Sequence, residues 1–401
     1  MEVFEKLFEM TALGELFQDP RYIVMLLLAL LLLYLGIYRR YEPLLLVPIA
    51  FGVLLANIPG GNMAVVPTSI APEIEHLTLL EIAKKHGIMN MLYYSLIKTS
   101  LLPPLIFMGV GALTDFGPML RNLRLAFFGA AAQIGIFTVL ISAVLLGFSL
   151  KEAASLGIIG GADGPTAIYT SIILAPQLLG PIAIAAYSYM ALVPVIIPLI
   201  VRFLVSEQEL KINMREQEKA YPSKLKIKNM KTVKILFPII LGLIVSILVP
   251  SSVPLLGMLL FGNLVKEIGS DTNRLYKAAS DTILNVATIF LGLTVGATMT
   301  AGTFLNAETL LIVAGGFVAF AISIAGGILA VKVVNLFSKK KINPLIGATG
   351  LSAVPMAARV ANDIALRHDA RNHLLQYAMS SNISGVIGSA VAAGVLISFL
   401  S

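Results

Sequence analysis

One carboxylate constrains this chain more than any other residue. Asp163 stands in Gly160-Gly161-Ala162-Asp163-Gly164-Pro165-Thr166, inside an otherwise apolar run from Ala153 to Leu174. An acid at bilayer depth is costly unless a partner neutralises it. Gly and Pro deny this stretch a continuous helix, so its backbone groups must find partners other than lipid. Asp-Gly-Pro is also ordinary turn chemistry, but apolar sequence on both sides speaks against a solvated turn. A broken helix carrying a buried acid is how membrane transporters build a cation site near the midplane.

Composition agrees with that setting. Of 401 residues, 57% are hydrophobic and only 13% charged, against about 25% charged in soluble domains. The expected fold is therefore an all-α polytopic membrane protein. A net charge of +7 sits in loops between apolar spans, which fits the positive-inside rule and not nucleic-acid binding. The absence of cysteine excludes disulfides, thiol catalysis and cysteine metal sites.

Residues 1–20 alternate acids with Phe4, Leu7, Phe8, Leu13, Leu16 and Phe17 at helical spacing, which predicts an amphipathic interfacial helix and not a basic signal peptide. A retained span follows over 22–38. Further apolar segments lie at about 43–58, 88–116, 125–148, 153–175 (broken), 179–204, 235–250, 253–265, 280–300, 309–337, 342–358 (broken) and 374–400. The short 253–265 piece is expected to extend toward Gly269. Residues 205–234 are polar, with eight Lys/Arg and four Glu, and read as a cytoplasmic linker. The chain divides into membrane halves at 21–204 and 235–401.

Those halves resemble each other in order. Pro43-Leu44-Leu45 with Gly52 recurs as Pro254-Leu255-Leu256 with Gly262, and Phe107-Met108-Gly109 with Gly111 recurs as Phe290-Leu291-Gly292 with Gly296. Ile159-Gly160 corresponds to Ile346-Gly347, and Tyr187 to Tyr377. Arg39, Arg40, Arg121, Arg124, Lys266, Arg274, Lys277 and Lys339 to Lys341 all fall on the cytoplasmic side only if matched helices run in opposite directions. This predicts an inverted-topology repeat whose two broken segments meet near the bilayer midplane.

The second broken segment, Asn343 to Arg359, supplies amide, hydroxyl and backbone carbonyl oxygens, which suit a hard monovalent cation. Arg359 lies two helical turns beyond Ser352; it reads either as a site residue or as a snorkelling anchor. Asn382 in the last helix needs a buried partner. Tyr187 and Tyr189 could donate a hydrogen bond or a proton, or simply pack. The four histidines lie in or beside loops without zinc spacing. With no P-loop in the chain, the energy must come from an ion gradient or a partner's reaction.

The run Gly157-Ile158-Ile159-Gly160-Gly161-Ala162-Asp163-Gly164-Pro165-Thr166-Ala167-Ile168-Tyr169 resembles the signature of the β subunits of biotin-dependent, sodium-translocating decarboxylases. Residues 186–194, 341–347, 352–360 and 382–389 are similar to that family too, so the likeness covers essentially the whole chain. It implies a multi-pass subunit of a prokaryotic inner membrane that decarboxylates carboxybiotin and drives Na⁺ outward, with uptake of a proton. It further implies a carboxyltransferase α subunit, a biotin carrier, small membrane subunits and a homotrimer of this chain. Biotin would stay on the partner. Carried over position by position, Asp163, Asn343 and Asn382 match sodium ligands, and Gly347 permits close backbone approach. Tyr189 and Ser352 match positions tied to a second sodium or to proton delivery, and Arg359 one tied to activity and to carboxybiotin.

A stand-alone secondary Na⁺ transporter would share the inverted repeat and the midplane acid, and is the rival reading. The inverted arrangement has its own test, because single cysteines can be placed at will in a chain that has none. A cysteine at Ser223 should react with impermeant thiol reagents only from the cytoplasmic side, and one at Ser69 only from outside. Labelling of both from one side refutes the arrangement.

Overall fold

The structure is a computed structural model that describes residues 10–40, 43–66, 71–221, 229–353 and 355–401. Residues 1–9 of the expected interfacial helix, the labelling positions Ser69 and Ser223, and Val354 lie outside the described residues. Among those described, the regular structure is helical, without strands. The first half comprises α1 (Pro20–Ile37), α2 (Pro43–Ala56), α3 (Leu102–Leu113), α4 (Leu123–Ala132), α5 (Ile134–Leu145), α6 (Leu150–Gly157), α7 (Gly164–Leu174) and α8 (Leu179–Leu204). The second comprises α9 (Met230–Leu248), α10 (Met258–Ile268), α11 (Leu284–Thr298), α12 (Ala307–Phe337), α13 (Leu345–Ala348), α14 (Met356–His368) and α15 (Leu375–Leu400). Among the described residues seven helices are long and apolar enough to cross a membrane, or up to nine if each bent pair counts as one span. This is an all-α polytopic membrane protein.

Local chemistry sets the boundaries. Of the expected interfacial segment, the described part holds one short helix, Leu13–Gln18, before Asp19 caps α1 by accepting from the Arg21 amide at 3.0 Å. Gly269, at φ 95°, ends α10, so the 253–265 segment does extend as expected. The 88–116 segment, expected to be continuous, instead bends by 67° between residues 88–97 and α3. Ser100 takes a left-handed φ of 60° there, and Pro103 and Pro104, which offer no amide hydrogen, fit only the first turn of a new helix. α8 bends by 67° as well, just ahead of Pro194 and Pro198 inside it.

The sequence correspondences between halves reappear as reciprocal contacts. α2 packs on α11, and α3 on α10. A Cβ on Gly52 would strike the Leu293 carbonyl, and one on Gly262 the Met108 carbonyl. Likewise Gly296 lies against the Ile49 carbonyl and Gly111 against that of Leu259. Each contact repeats the other at the positions that correspond between the halves. Gly135 against Gly160 and Gly327 against Gly347 form a second such pair at the two breaks. Small residues at these crossings let backbones meet directly, the usual device where lipid offers no hydrophobic drive for association.

Charged side chains from the two halves gather in one cluster. Lys234 pairs with Asp115 at 2.5 Å and approaches Glu267 at 3.6 Å, while Lys266 donates to the Thr114 carbonyl at 2.9 Å. The described part of the linker is not a loose tether. Its helices Glu207–Leu210 and Met214–Ala220 dock beneath the second half through Lys332–Glu209 at 3.2 Å and a Tyr377 hydroxyl that donates to Glu218 at 2.6 Å.

Equivalent glycines should be equally intolerant of a side chain. Gly111→Ala and Gly296→Ala are each expected to destabilise by about 1–3 kcal/mol through overpacking, read as a lowered thermal midpoint in detergent. An unchanged midpoint in either would show that this seam is looser than its contacts indicate.

Candidate functional site

The first broken segment turns on four residues. After α6 a tight 3₁₀ turn, Ile158–Gly161, leads to Ala162 in the left-handed region at φ 57°. Asp163 is then extended and caps α7, its Oδ1 accepting from the Thr166 amide at 3.1 Å, with Pro165 in the first helical turn. The helix N-terminus thus points its partial positive charge at the carboxylate. Asp163 is buried, with 4% of its surface exposed, and no lysine, arginine or histidine pairs with it among the described residues.

Its second oxygen meets the other half of the molecule. Ser389 on α15 donates to Asp163 Oδ2 at 2.7 Å, and Ser352 donates to Ser389 Oγ at 2.8 Å. The Ser352 amide donates to the Gly161 carbonyl at 3.0 Å. Backbone at one break therefore bonds backbone at the other, and a hydroxyl chain runs from the second break to the acid. Farther along α15, Asn382 donates to the Leu351 carbonyl at 2.5 Å, while its own Oδ1 is buried without a partner among the described residues. Asn382 and Ser389 are seven residues apart, so they share a helix face with a rise of about 10 Å between them.

The remaining expected site residues are distributed around this centre. Ser352 and Arg359 line one cavity of ≈ 490 Å³ together with Asp163, Pro165 and Tyr187. Arg359 is exposed, and no carboxylate pairs with it among the described residues. Asn343 is not joined to Asp163 here. Its amide donates to the carbonyls of Leu210 and Ile212, both at 3.0 Å, and its Oδ1 accepts from the Leu345 amide at 3.0 Å. Asn372 donates to the same two linker carbonyls. Gly347 meets Gly327 backbone to backbone, which fits the close approach expected of it. Tyr189 donates to the Val313 carbonyl and packs on Phe317 and Phe320.

Two residues near the centre, Ser389 and Gln133, had no role assigned from the sequence, which leaves Tyr187 open between donor and packing. Ser389 carries the bond to Asp163; its spacing from Asn382 on one helix face was the available signal. Tyr187 lies over the break, its ring against Gly164 and its hydroxyl buried without a partner among the described residues. Gln133, an amide inside an apolar span, sits where α4 gives way to α5.

The oxygens gathered at Asp163 are its own carboxylate and the hydroxyls of Ser389 and Ser352, a donor set for a hard cation and not for a soft one. A buried acid held between two broken helices, beside a cavity that also holds a cationic side chain, defines an ion-translocating membrane protein. Comparison with known proteins narrows the class. Residues 21–400 match the family described as the Na⁺-transporting oxaloacetate decarboxylase beta subunit. The methylmalonyl-CoA decarboxylase subunit beta of Propionigenium modestum is 49% identical over 382 residues, covering 94% of each chain. The oxaloacetate decarboxylase beta chain of Haemophilus ducreyi is 45% identical, covering 94% of this chain and 95% of its own, and beta chain 2 of Salmonella typhimurium is 46% identical, covering 94% of each. The chain belongs to this family of decarboxylase β subunits. It is the multi-pass inner-membrane subunit of a sodium-pumping decarboxylase, which decides against the stand-alone transporter.

The hydroxyl chain should matter in proportion to the charge it serves. A hydrogen bond to an ionised group contributes about 1.5–3 kcal/mol, so Ser389→Ala should raise the Na⁺ concentration for half-maximal decarboxylation by roughly ten-fold or more. An unchanged sodium dependence would exclude Ser389 from the ion site.

Proposed function

We propose that this subunit decarboxylates carboxybiotin in the cavity between Asp163 and Arg359, and that this step drives Na⁺ outward past Asp163. What supports the reading best is that one cavity is lined by both the buried acid with Ser352 and the exposed arginine. A guanidinium offers a planar fork to an incoming carboxylate. In the reaction the N–CO₂⁻ bond of carboxybiotin breaks, CO₂ leaves, and the ring nitrogen takes up one proton. The hydroxyls of Ser352 and Ser389 donate toward Asp163 as they stand; with both turned round, Ser352 would give its proton to the ring nitrogen and be resupplied through Ser389, since a hydroxyl can accept as well as donate.

Sodium is the cargo. Asp163 with Na⁺ forms a neutral pair, whereas bare Asp163 is expensive in a low-dielectric layer. Moving one positive charge outward against an inside-negative potential costs about 2.3 kcal/mol per 100 mV. Coupling then requires that carboxybiotin lose CO₂ only when the acid is loaded. Asn382, two turns from Ser389, is a second oxygen station along α15. Asn343, whose side chain is taken up by the linker, acts in this conformation as a clamp on the second break; as a sodium ligand it would need the linker to release it. Tyr189 would similarly need to leave Val313.

The inverted sense of the repeat, the homotrimer and the small membrane subunits belong to the same proposal. A carboxyltransferase α subunit and a biotin carrier would load the carboxyl group. Relatives named for two different acyl substrates are similarly close to this chain, at 49% and 45% identity. That supports an acyl specificity residing on another polypeptide.

Two substitutions separate the parts. Asp163→Asn should keep the fold and lose both Na⁺-specific protection against heat and decarboxylation. Arg359→Ala should retain sodium protection but lose decarboxylation of free carboxybiotin, with Arg359→Lys rescuing only in part. Normal decarboxylation in Arg359→Ala would make the arginine a membrane-surface anchor; full sodium-stimulated activity in Asp163→Asn would remove the acid from the mechanism.

A further inference from the structure

Gln133 is 6% exposed, and it stands at the joint between α4 and α5 with φ −66° and ψ −8°. Its side-chain nitrogen donates to three carbonyls, those of Gly129 at 3.0 Å, Gly385 at 3.3 Å and Gly350 at 3.5 Å. Three acceptors around one end of the amide fix its orientation, since a flipped amide would set oxygen against oxygen. The other end is therefore committed as an acceptor. That Oε1 is buried, and no donor among the described residues reaches it.

Its surroundings are those of the ion site. A Cβ on Gly161 would lie 3.5 Å from Gln133 Oε1 and 3.3 Å from Ser389 Cβ, so both side chains stand directly behind the break. Gly388, next to Ser389, lies against the Gln133 amide. At 100° per residue on α15, the cavity-lining Met379 and Val386 fall to one side of Asn382 and Ser389, and Gly385 and Gly388 to the other. Gln133 thus reaches the polar face of α15 from the side opposite the cavity, at a level between Asn382 and Ser389.

We infer that Gln133 Oε1 is a sodium ligand that completes the oxygen set behind Asp163. An amide carbonyl is a neutral hard donor, so it adds coordination without a second charge, and the Asp163–Na⁺ pair stays neutral. The three glycine carbonyls aim it in advance. Gln133 also touches both breaks, through Gly161 and Gly350, so sodium held by it would tie the two broken segments together.

The inference rests on Asp163 as the sodium site, and the test keeps the two apart. Purified protein in detergent is titrated with NaCl, choline chloride holding ionic strength constant, and thermal protection is read for the parent, Gln133→Met, Gln133→Glu and Asp163→Asn. Met keeps volume but has no hard oxygen; Glu keeps the oxygen but loses the donors to the glycine carbonyls. Gln133→Met should raise the half-protecting Na⁺ concentration at least ten-fold, with full protection regained at saturating sodium. Gln133→Glu should hold it at or below the parent value. An unchanged value in Gln133→Met overturns the inference, and so does an equal rise in both, which would make the amide only a tether. Sodium protection surviving in Asp163→Asn would overturn the underlying site reading, whatever Gln133 does.

Discussion

Two stretches of backbone leave the helical path deep in this protein, and each supplies what the other lacks. The Ser352 amide on the Gly161 carbonyl at 3.0 Å is the contact on which the rest turns. Without water or lipid partners, neither break could persist alone. Once they are joined, the residues that follow are placed: Asp163 caps α7, Ser352 reaches Ser389, and α15 runs past both. Cavity, acid and arginine come together because two irregular segments satisfy each other.

Much of this was legible in the sequence. The acid in its Gly- and Pro-broken run located the centre, since few arrangements tolerate a carboxylate in apolar surroundings. The second break was visible from Asn343, Gly347 and Pro355 in the same way. Correspondences such as Gly52 with Gly262 and Gly111 with Gly296 proved to be the helix-crossing points. These features declare themselves through composition alone.

Other features could not do so. Whether Asn343 faces the acid or the linker depends on where residues 206–213 fold, and a run of charged residues carries no period that foretells docking. Tyr187 and Tyr189 are two residues apart, and only the trajectory of the bent α8 decides which ring covers Gly164. The break at Ser100 was hidden because an apolar segment of adequate length looks like one span whether or not it bends. Ser389 sat within a familiar motif without chemistry of its own until Asp163 was brought to it from 226 positions away.

The crossing of α2 with α11 has a consequence for how the chain is made. Asn57, just beyond α2, donates to the Met299 carbonyl 242 positions downstream, alongside the glycine seam. At roughly 5–20 residues per second of synthesis, α2 waits roughly 10–50 seconds in the bilayer before its partner exists. During that interval its glycine face lacks the helix it is shaped for, and the Asn57 amide keeps only its bond to the Val53 carbonyl one turn back. The N-terminal half is in this sense an unfinished surface, and the last half of translation is also the last half of folding.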